Sequence, residues 1–549
     1  MNKKRNNQDL GDFTTTPRVI PISVLAIVIG AVCAYVAWAL LRLIGLVTNI
    51  AYFHRWSSEL TSPATNKLGG YAIFIPIVGG LIVGLMARFG SERIRGHGIP
   101  EAIEAILMNG SRVQPRVGIL KALASAIAIG TGGPFGAEGP IIMTGGSFGS
   151  VIAQFFHLTG AERKTLLVAG AAAGMSATFA APIAATLLAV ELLLFEWKPR
   201  SFIPVALASA TAVGIRYHVL GLGPLFPVPP HPAFIGFAGL LSCVLVGVLA
   251  GALSALLTIA VYGAEDLFQH LPIHWMWWPA IGGFVIGIGG LIFPQSLGVG
   301  YDTIGAFLRG DVPRNIIIGV LLVKSIIWAF ALGSGTSGGV LAPLLMMGGA
   351  LGGIEAMFLP HEGNGFWELI SLGAILGGTM RSPLTGIIFA VELTHDLNAL
   401  LPLLIACSVA HGFTVLTLKR SILTEKISRR GYHLSREYSV DPLELVFVDE
   451  VMSIDVPAED SAPAAGGLGR LVTYGDETLR AAVYRMAESG VTRLRVVDAD
   501  RPGAVIGIVT LEDLLGARVR HLEEERDRER VLHLRPGLGR ATNDTTDRV

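Results

Sequence analysis

The chain has 549 residues, 52% hydrophobic and only 15% charged, with a formal net charge of +0. Soluble globular chains carry about 25% charged residues, so the composition excludes an ordinary soluble protein and points to a polytopic membrane protein. The balanced charge gives no basic surface for a nucleic-acid partner.

Residues 1–18 are polar and mostly basic, and they predict a cytoplasmic tail. The apolar run from Val19 is too long for a signal-peptide core, so it predicts a retained membrane helix. Apolar segments then recur to residue 418, broken by Gly and Pro. Several are shorter than the roughly 20 residues a straight span requires. Short, glycine-interrupted segments predict broken helices around a polar site. Many of the 68 glycines fall in these segments, where small residues let helices approach closely. Cys33, Cys243 and Cys407 lie in apolar stretches without metal or disulfide spacing and are read as packing residues; no metal site is expected. Arg88, Arg93 and Arg95 precede one short segment, and Arg112, Arg116 and Lys121 follow it. The positive-inside tendency places these charges and both termini in the cytoplasm. The membrane part is thus expected over 19–430, as halves of about 19–220 and 233–430. A charged linker and flexible insert (431–470), a small α/β domain (471–522, strand, helix, strand, strand, helix) and a charged tail (523–549) complete the chain.

The two halves carry a repeat. Gly130, Gly136, Pro140, Gly145, Gly146 and Gly149 match Gly333, Gly339, Pro343, Gly348, Gly349 and Gly352 at a constant offset. Glu191 matches Glu392, and Gly96 and Gly98 match Gly298 and Gly300, within a residue or two of the same offset. Homologous halves in a membrane typify transporter folds whose sites lie where the halves meet.

Three segments read as a Gly-rich loop running into a helix start with Pro just inside: Arg95–Ile106, Phe135–Gly146 and Ser337–Gly349. Each start exposes free amides and the positive end of a helix dipole, which bind an anion without a full positive charge. Ionisable Glu138 falls at the middle one, and an ionisable group inside a membrane is expensive and functional by default. Its carboxylate can compete with an anion at the helix end and leave on protonation.

These segments, Gly96-His97-Gly98-Ile99-Pro100, Gly136-Ala137-Glu138-Gly139-Pro140 and Gly339-Val340-Leu341-Ala342-Pro343, resemble the signature motifs of the ClC family of chloride channels and chloride/proton antiporters. The resemblance runs from about Val19 to Arg430. It implies an all-α polytopic fold of two inverted repeats with broken, tilted helices. It also implies a pore in each subunit of a homodimer in the cell membrane. Glu138 resembles the family's gating glutamate, and the implied anion contacts are His97, Gly98, Ile99, Gly136, Ala137, Gly139, Val340 and Leu341. Where the family has Arg, Ser, Phe and Tyr, this chain has Ala137, His97, Leu341 and Leu423. His97 either donates to the ion or turns to the backbone, leaving the Ile99 amide to make that contact. Leu192 stands where proton-exchanging members often have a second glutamate. It favours a channel over an antiporter without excluding the latter. Glu191 and Glu392 are read as structural, at helix ends. The C-terminal segment resembles a CBS domain through Val472-Thr473, Val496-Val497-Asp498 and Gly507–Asp513, with Val448–Ser453 as its lead-in. Thr510 and Asp513 are candidate nucleotide contacts, against a plain packing role; no other cofactor is expected, and the anion itself is the substrate.

Two rivals remain. Gly145–Gly149 has the G-x-S-x-G form around Ser147, and a hydrolase would need a strand before it. His361-Glu362 lacks the second His of a zinc-protease motif. The other rival is a transport-inactive relative acting as a sensor.

Overall fold

The structure is a computed structural model. It describes residues 15–107, 110–221, 223–431, 443, 446–455, 472–498 and 504–524. Most of the expected N-terminal tail, the linker with its insert, and the charged tail beyond 524 lie outside the described residues. The chain forms two compact units, Met1–Arg436 and Glu437–Val549.

The first unit is helical. Its first half holds α1 (Val19–Phe53), α2 (Phe74–Leu85), α3 (Ile99–Leu107), α4 (Pro115–Gly130), α5 (Glu138–Gln154), α6 (Gly160–Phe179), α7 (Pro182–Leu188) and α8 (Pro199–Val219). The second holds α9 (Phe237–Gln269), α10 (Trp278–Ile292), α11 (Tyr301–Arg309), α12 (Arg314–Gly319), α13 (Ser325–Gly333), α14 (Leu341–Glu355), α15 (Phe366–Met380), α16 (Pro383–Thr394), α17 (Leu400–Thr417) and α18 (Ile422–Arg429). Among the described residues, seven helices are long and apolar enough to cross a membrane. Others, such as α14, α15 and α16, are apolar but shorter.

Local sequence explains the breaks. Pro opens α4, α7, α8 and α16, where its missing N–H is no loss. A capping box starts α6: the Thr159 hydroxyl accepts from the Glu162 amide, and the Glu162 carboxylate accepts from the Thr159 amide at 2.8 Å. Ala180 and Arg381, equivalent in the repeat, both turn through the left-handed region (φ 58° and 55°) to end α6 and α15. Each turn leads into a proline-started helix, so the chain doubles back twice in the same way.

The halves meet through reciprocal contacts. Gly136 and Gly339 form an antiparallel bridge, Gly136 N–H to Gly339 O at 3.1 Å and Gly339 N–H to Gly136 O at 2.8 Å. Gly96 N–H donates to Gly335 O (3.4 Å), and Gly298 N–H donates to Gly132 O (3.1 Å). A Cβ on Gly80 would strike the Pro279 carbonyl, and one on Gly283 would strike that of Pro76, so α2 and α10 pack backbone to backbone. Glu392 accepts from the amides of Ile183 (3.0 Å) and Ala184 (2.7 Å) at the start of α7. Glu191 accepts from those of Leu384 (3.3 Å) and Thr385 (2.9 Å) at the start of α16. Equivalent residues exchanging the same bond in both directions are related by a local two-fold axis, the geometry of an inverted repeat.

The second unit has a sheet of order β1-β2-β3: β1 (Val472–Tyr474), β2 (Arg493–Val497) and β3 (Val505–Thr510). β1 pairs parallel with β2, and β2 antiparallel with β3. Helices Leu479–Ser489 and Leu511–Glu524 pack with it around Val448, Leu479, Leu494, Val496 and Val509. The lead-in joins the sheet as a bridge between Ser453 and Ile508.

Candidate anion site

Three helix starts converge at the two-fold contact. Gly96 and Gly98 (φ 83° and 92°) turn the chain into α3 in a conformation that glycine alone adopts freely. A Cβ on Gly98 would lie 2.5 Å from Gly139 O, and one on Gly139 would lie against His97 O and 3.3 Å from Gly339 Cα. The starts of α3, α5 and α14 therefore touch, as glycine permits and larger residues would prevent.

The first intrahelical bonds define which amides remain. Ala102 N–H returns to Gly98 O, Ile141 N–H to Ala137 O, and Leu344 N–H to Val340 O. Ahead of them lie the amides of Ile99, of Ala137 to Gly139, and of Val340 to Ala342, the donors that a helix leaves for a ligand. Two expected contacts are corrected. The Gly98 amide donates to Glu101 Oε2 at 2.8 Å, and the Gly136 amide is held by Gly339. Each is spent on closing a turn or joining the halves.

Glu138 is fully buried, and neither carboxylate oxygen reaches a hydrogen-bond partner. A Cβ on Gly339 would lie 2.6 Å from Glu138 Oε2, so the side chain points from the start of α5 toward that of α14, facing the Ala342 amide without closing a hydrogen bond to it. Buried polar atoms are nearly always paired, and an orphaned carboxylate at two helix starts marks a place built for a negative group.

Two lysines are buried beside the site. Lys121 Nζ donates to Ile94 O (2.9 Å) and Gly96 O (2.6 Å), and Lys324 Nζ donates to Gly298 O (2.7 Å). Both are 0% exposed, so Lys121 is not the surface charge that the topology argument assumed. Each ammonium pins the Gly-x-Gly loop of its own half. Their separation equals the offset between Pro140 and Pro343, so extending the repeat to charged positions would have found them.

His97 is buried and its Nδ1 has no partner. Leu192 and Leu423 are fully buried and apolar. Beside Leu423, the Tyr262 hydroxyl donates to Ile422 O at 2.5 Å. A cavity of about 420 Å³ reaches Glu101 between α3 and α18 and is lined by Glu104, Lys426, Arg429 and Arg430 among others. Arg430 pairs with Glu101 at 3.0 Å and also with Glu104.

Ser147 lies inside α5 and donates to Met143 O at 2.7 Å; the described strands all belong to the second unit, so there is no nucleophile elbow here. Thr510 and Asp513 cap helix Leu511–Glu524 on each other: Thr510 N–H and Oγ1 donate to Asp513 Oδ2 at 2.8 and 2.7 Å.

The family model described as voltage gated chloride channel matches residues 78–415. The chain belongs to this family. A CBS domain model matches residues 448–520. A putative chloride channel protein, ClcB-like, of Ralstonia nicotianae is 27% identical over 368 residues, 65% of this chain and 85% of that protein. An H(+)/Cl(-) exchange transporter, ClcA, of Cronobacter sakazakii is 30% identical over 349 residues, 59% of this chain and 72% of that one. A slow cyanobacterial Cl-/H+ antiporter has the same fold, with TM-score 0.67 at 21% identity over 76% of this chain and 99% of that one. A CLC-type fluoride/proton antiporter follows at 0.62 and 19%, over 73% and 97%. The ClC-type protein described here is thus an integral membrane protein of an anion-transport family. With an exchange transporter and two antiporters among these relatives, the expected preference for a channel is not supported.

Proposed function

We propose that this protein carries an inorganic anion, chloride first, through a path within each subunit, with Glu138 as its gate. The observation that carries the reading is the buried, unpartnered carboxylate at the meeting of the α5 and α14 starts. In its charged state the carboxylate holds the place of the ion. Protonated, it leaves, and the amides of Ile99, Ala137, Gly139, Val340 and Leu341 hold the anion instead. Lys121 and Lys324 add positive field while staying bonded to carbonyls. Relatives named as H(+)/Cl(-) exchange transporters support proton-coupled exchange as the first reading. Leu192, apolar where a second proton carrier would stand, favours uncoupled conduction as the second. We extend the reading to a homodimer in the cell membrane with cytoplasmic termini. A CBS nucleotide at Thr510 and Asp513 would have to open the cap those residues now close.

The test is chloride efflux from liposomes at several pH values. Glu138→Gln, a neutral mimic of the protonated gate, is expected to give flux independent of pH. Flux that keeps the wild-type pH profile would remove Glu138 from the gate. The reversal potential under a proton gradient separates the two readings: it moves with the gradient only if protons are exchanged.

A further inference from the structure

The start of α11 is the repeat counterpart of the start of α3: Gly298 and Gly300 stand where Gly96 and Gly98 do, and Tyr301 where Ile99 does. Lys324 pins its loop as Lys121 pins the other. The first half offers an apolar side chain and a free amide at this position, whereas the second offers a phenol. Its hydroxyl oxygen is buried and has no hydrogen-bond partner. The ring is fixed edge-on between Phe179 (6.4 Å between centroids) and Phe226 (6.0 Å). Two orphaned buried polar groups, this hydroxyl and the Glu138 carboxylate, lie within electrostatic reach of each other. Buried polar groups are nearly always satisfied, and one is a donor and the other an acceptor.

We propose that the Tyr301 hydroxyl is the donor that receives the protonated Glu138 carboxyl, through its carbonyl oxygen, when it swings from its place at the α5 start, making Tyr301 a positioning residue of the gate. The hydroxyl keeps its proton throughout, and only the hydrogen bond forms and breaks. Besides Tyr301, the charged group facing Glu138 is Lys324, which is held to Gly298 O. Arg216 of α8 faces Tyr301, with one nitrogen bonded to Gly221 O at 3.0 Å. The proposal rests on the gating role of Glu138.

The test is infrared titration of the purified full-length protein in lipid, with the Glu138 carboxyl band assigned by its loss in Glu138→Gln. The contact forms with the protonated, departed carboxyl and favours that neutral form, so removing it moves the midpoint to lower pH. Tyr301→Phe is expected to lower the midpoint by about one unit, tenfold in proton affinity. Tyr301→His, which restores a donor, is expected to bring it part of the way back. An unmoved midpoint in Tyr301→Phe overturns the proposal. In the wild type alone, the tyrosine C–O band is expected to shift in step with the Glu138 band and to lose that step in Glu138→Gln. A tyrosine band indifferent to Glu138 also overturns it, whether or not the Phe variant folds. Because neither readout needs transport, loss of flux bears on the function proposed above and leaves this contact separately testable.

Discussion

Glu101 lies between the candidate anion site and the cavity beside α18, and neutralising it tests the electrostatics of the site. One of its oxygens caps the Gly98 amide at 2.8 Å, and the other accepts from Arg430 at 3.0 Å. It is the carboxylate among Lys121, Lys426 and Arg430. Glu101→Gln keeps an oxygen to cap α3, so the helix start is expected to hold its shape. The variant removes one negative charge beside the Ile99 amide. At a separation on the order of 6 Å and an effective dielectric of about 20, one charge contributes about 3 kcal/mol. Water and counter-ions in the adjoining cavity screen roughly half of this, leaving about 1.4 kcal/mol, or tenfold in affinity. Calorimetric titration with chloride in detergent should show binding about tenfold tighter than wild type. Liposome efflux should slow, because a tighter site releases its ion more slowly. Unchanged or weaker binding in a variant with wild-type thermal stability would refute the reasoning: the ion would then sit beyond the reach of the Glu101 charge.

Glu392→Ala removes both acceptors from the start of α7. With the two hydrogen bonds to a charged group contributing about 1.5–3 kcal/mol each, thermal unfolding should show a loss of about 3–6 kcal/mol, with chloride affinity little changed. In the C-terminal unit, burial pushes the Glu477 carboxyl up, but Arg485 (2.6 Å) and Thr473 (2.8 Å) outweigh it and hold the group below the ordinary carboxylate value. A depressed folded value means stability present above the unfolded carboxylate range and lost as pH falls through the folded value. The unfolding midpoint of this unit should therefore drop as the buffer is taken below the ordinary carboxylate range, and Glu477→Gln should flatten that dependence.

Much of the site was legible in the sequence. Helix starts need Gly and Pro at fixed offsets, so the three loops announced themselves locally. An ionisable residue in an apolar stretch announced Glu138, and the constant offset announced the two halves. The alternation in 471–522 likewise gave the small sheet and its helices. What escaped were facts about pairing. Lys121 stands beside arginines at a segment edge, where a lysine is usually a surface charge, and only the packing shows it bonded to the Ile94 and Gly96 carbonyls. Gly98 and Gly136 carry the motif, yet their amides are taken by Glu101 and Gly339. Glycine spacing cannot tell a free amide from an engaged one.

The sequence by itself determined the membrane class, the repeat, the broken helices and the identity of the gate candidate, because each depends on neighbours along the chain or on a fixed offset. The tertiary structure alone decided which donors remain free, that Glu191 and Glu392 cap each other's halves, and that the Tyr301 hydroxyl and the Glu138 carboxylate are both left unpaired. The physical reason is that a hydrogen bond is satisfied by whatever lies within about 3 Å in space, and residues 208 positions apart, such as Ala184 and Glu392, become partners only when the two halves close on their common axis.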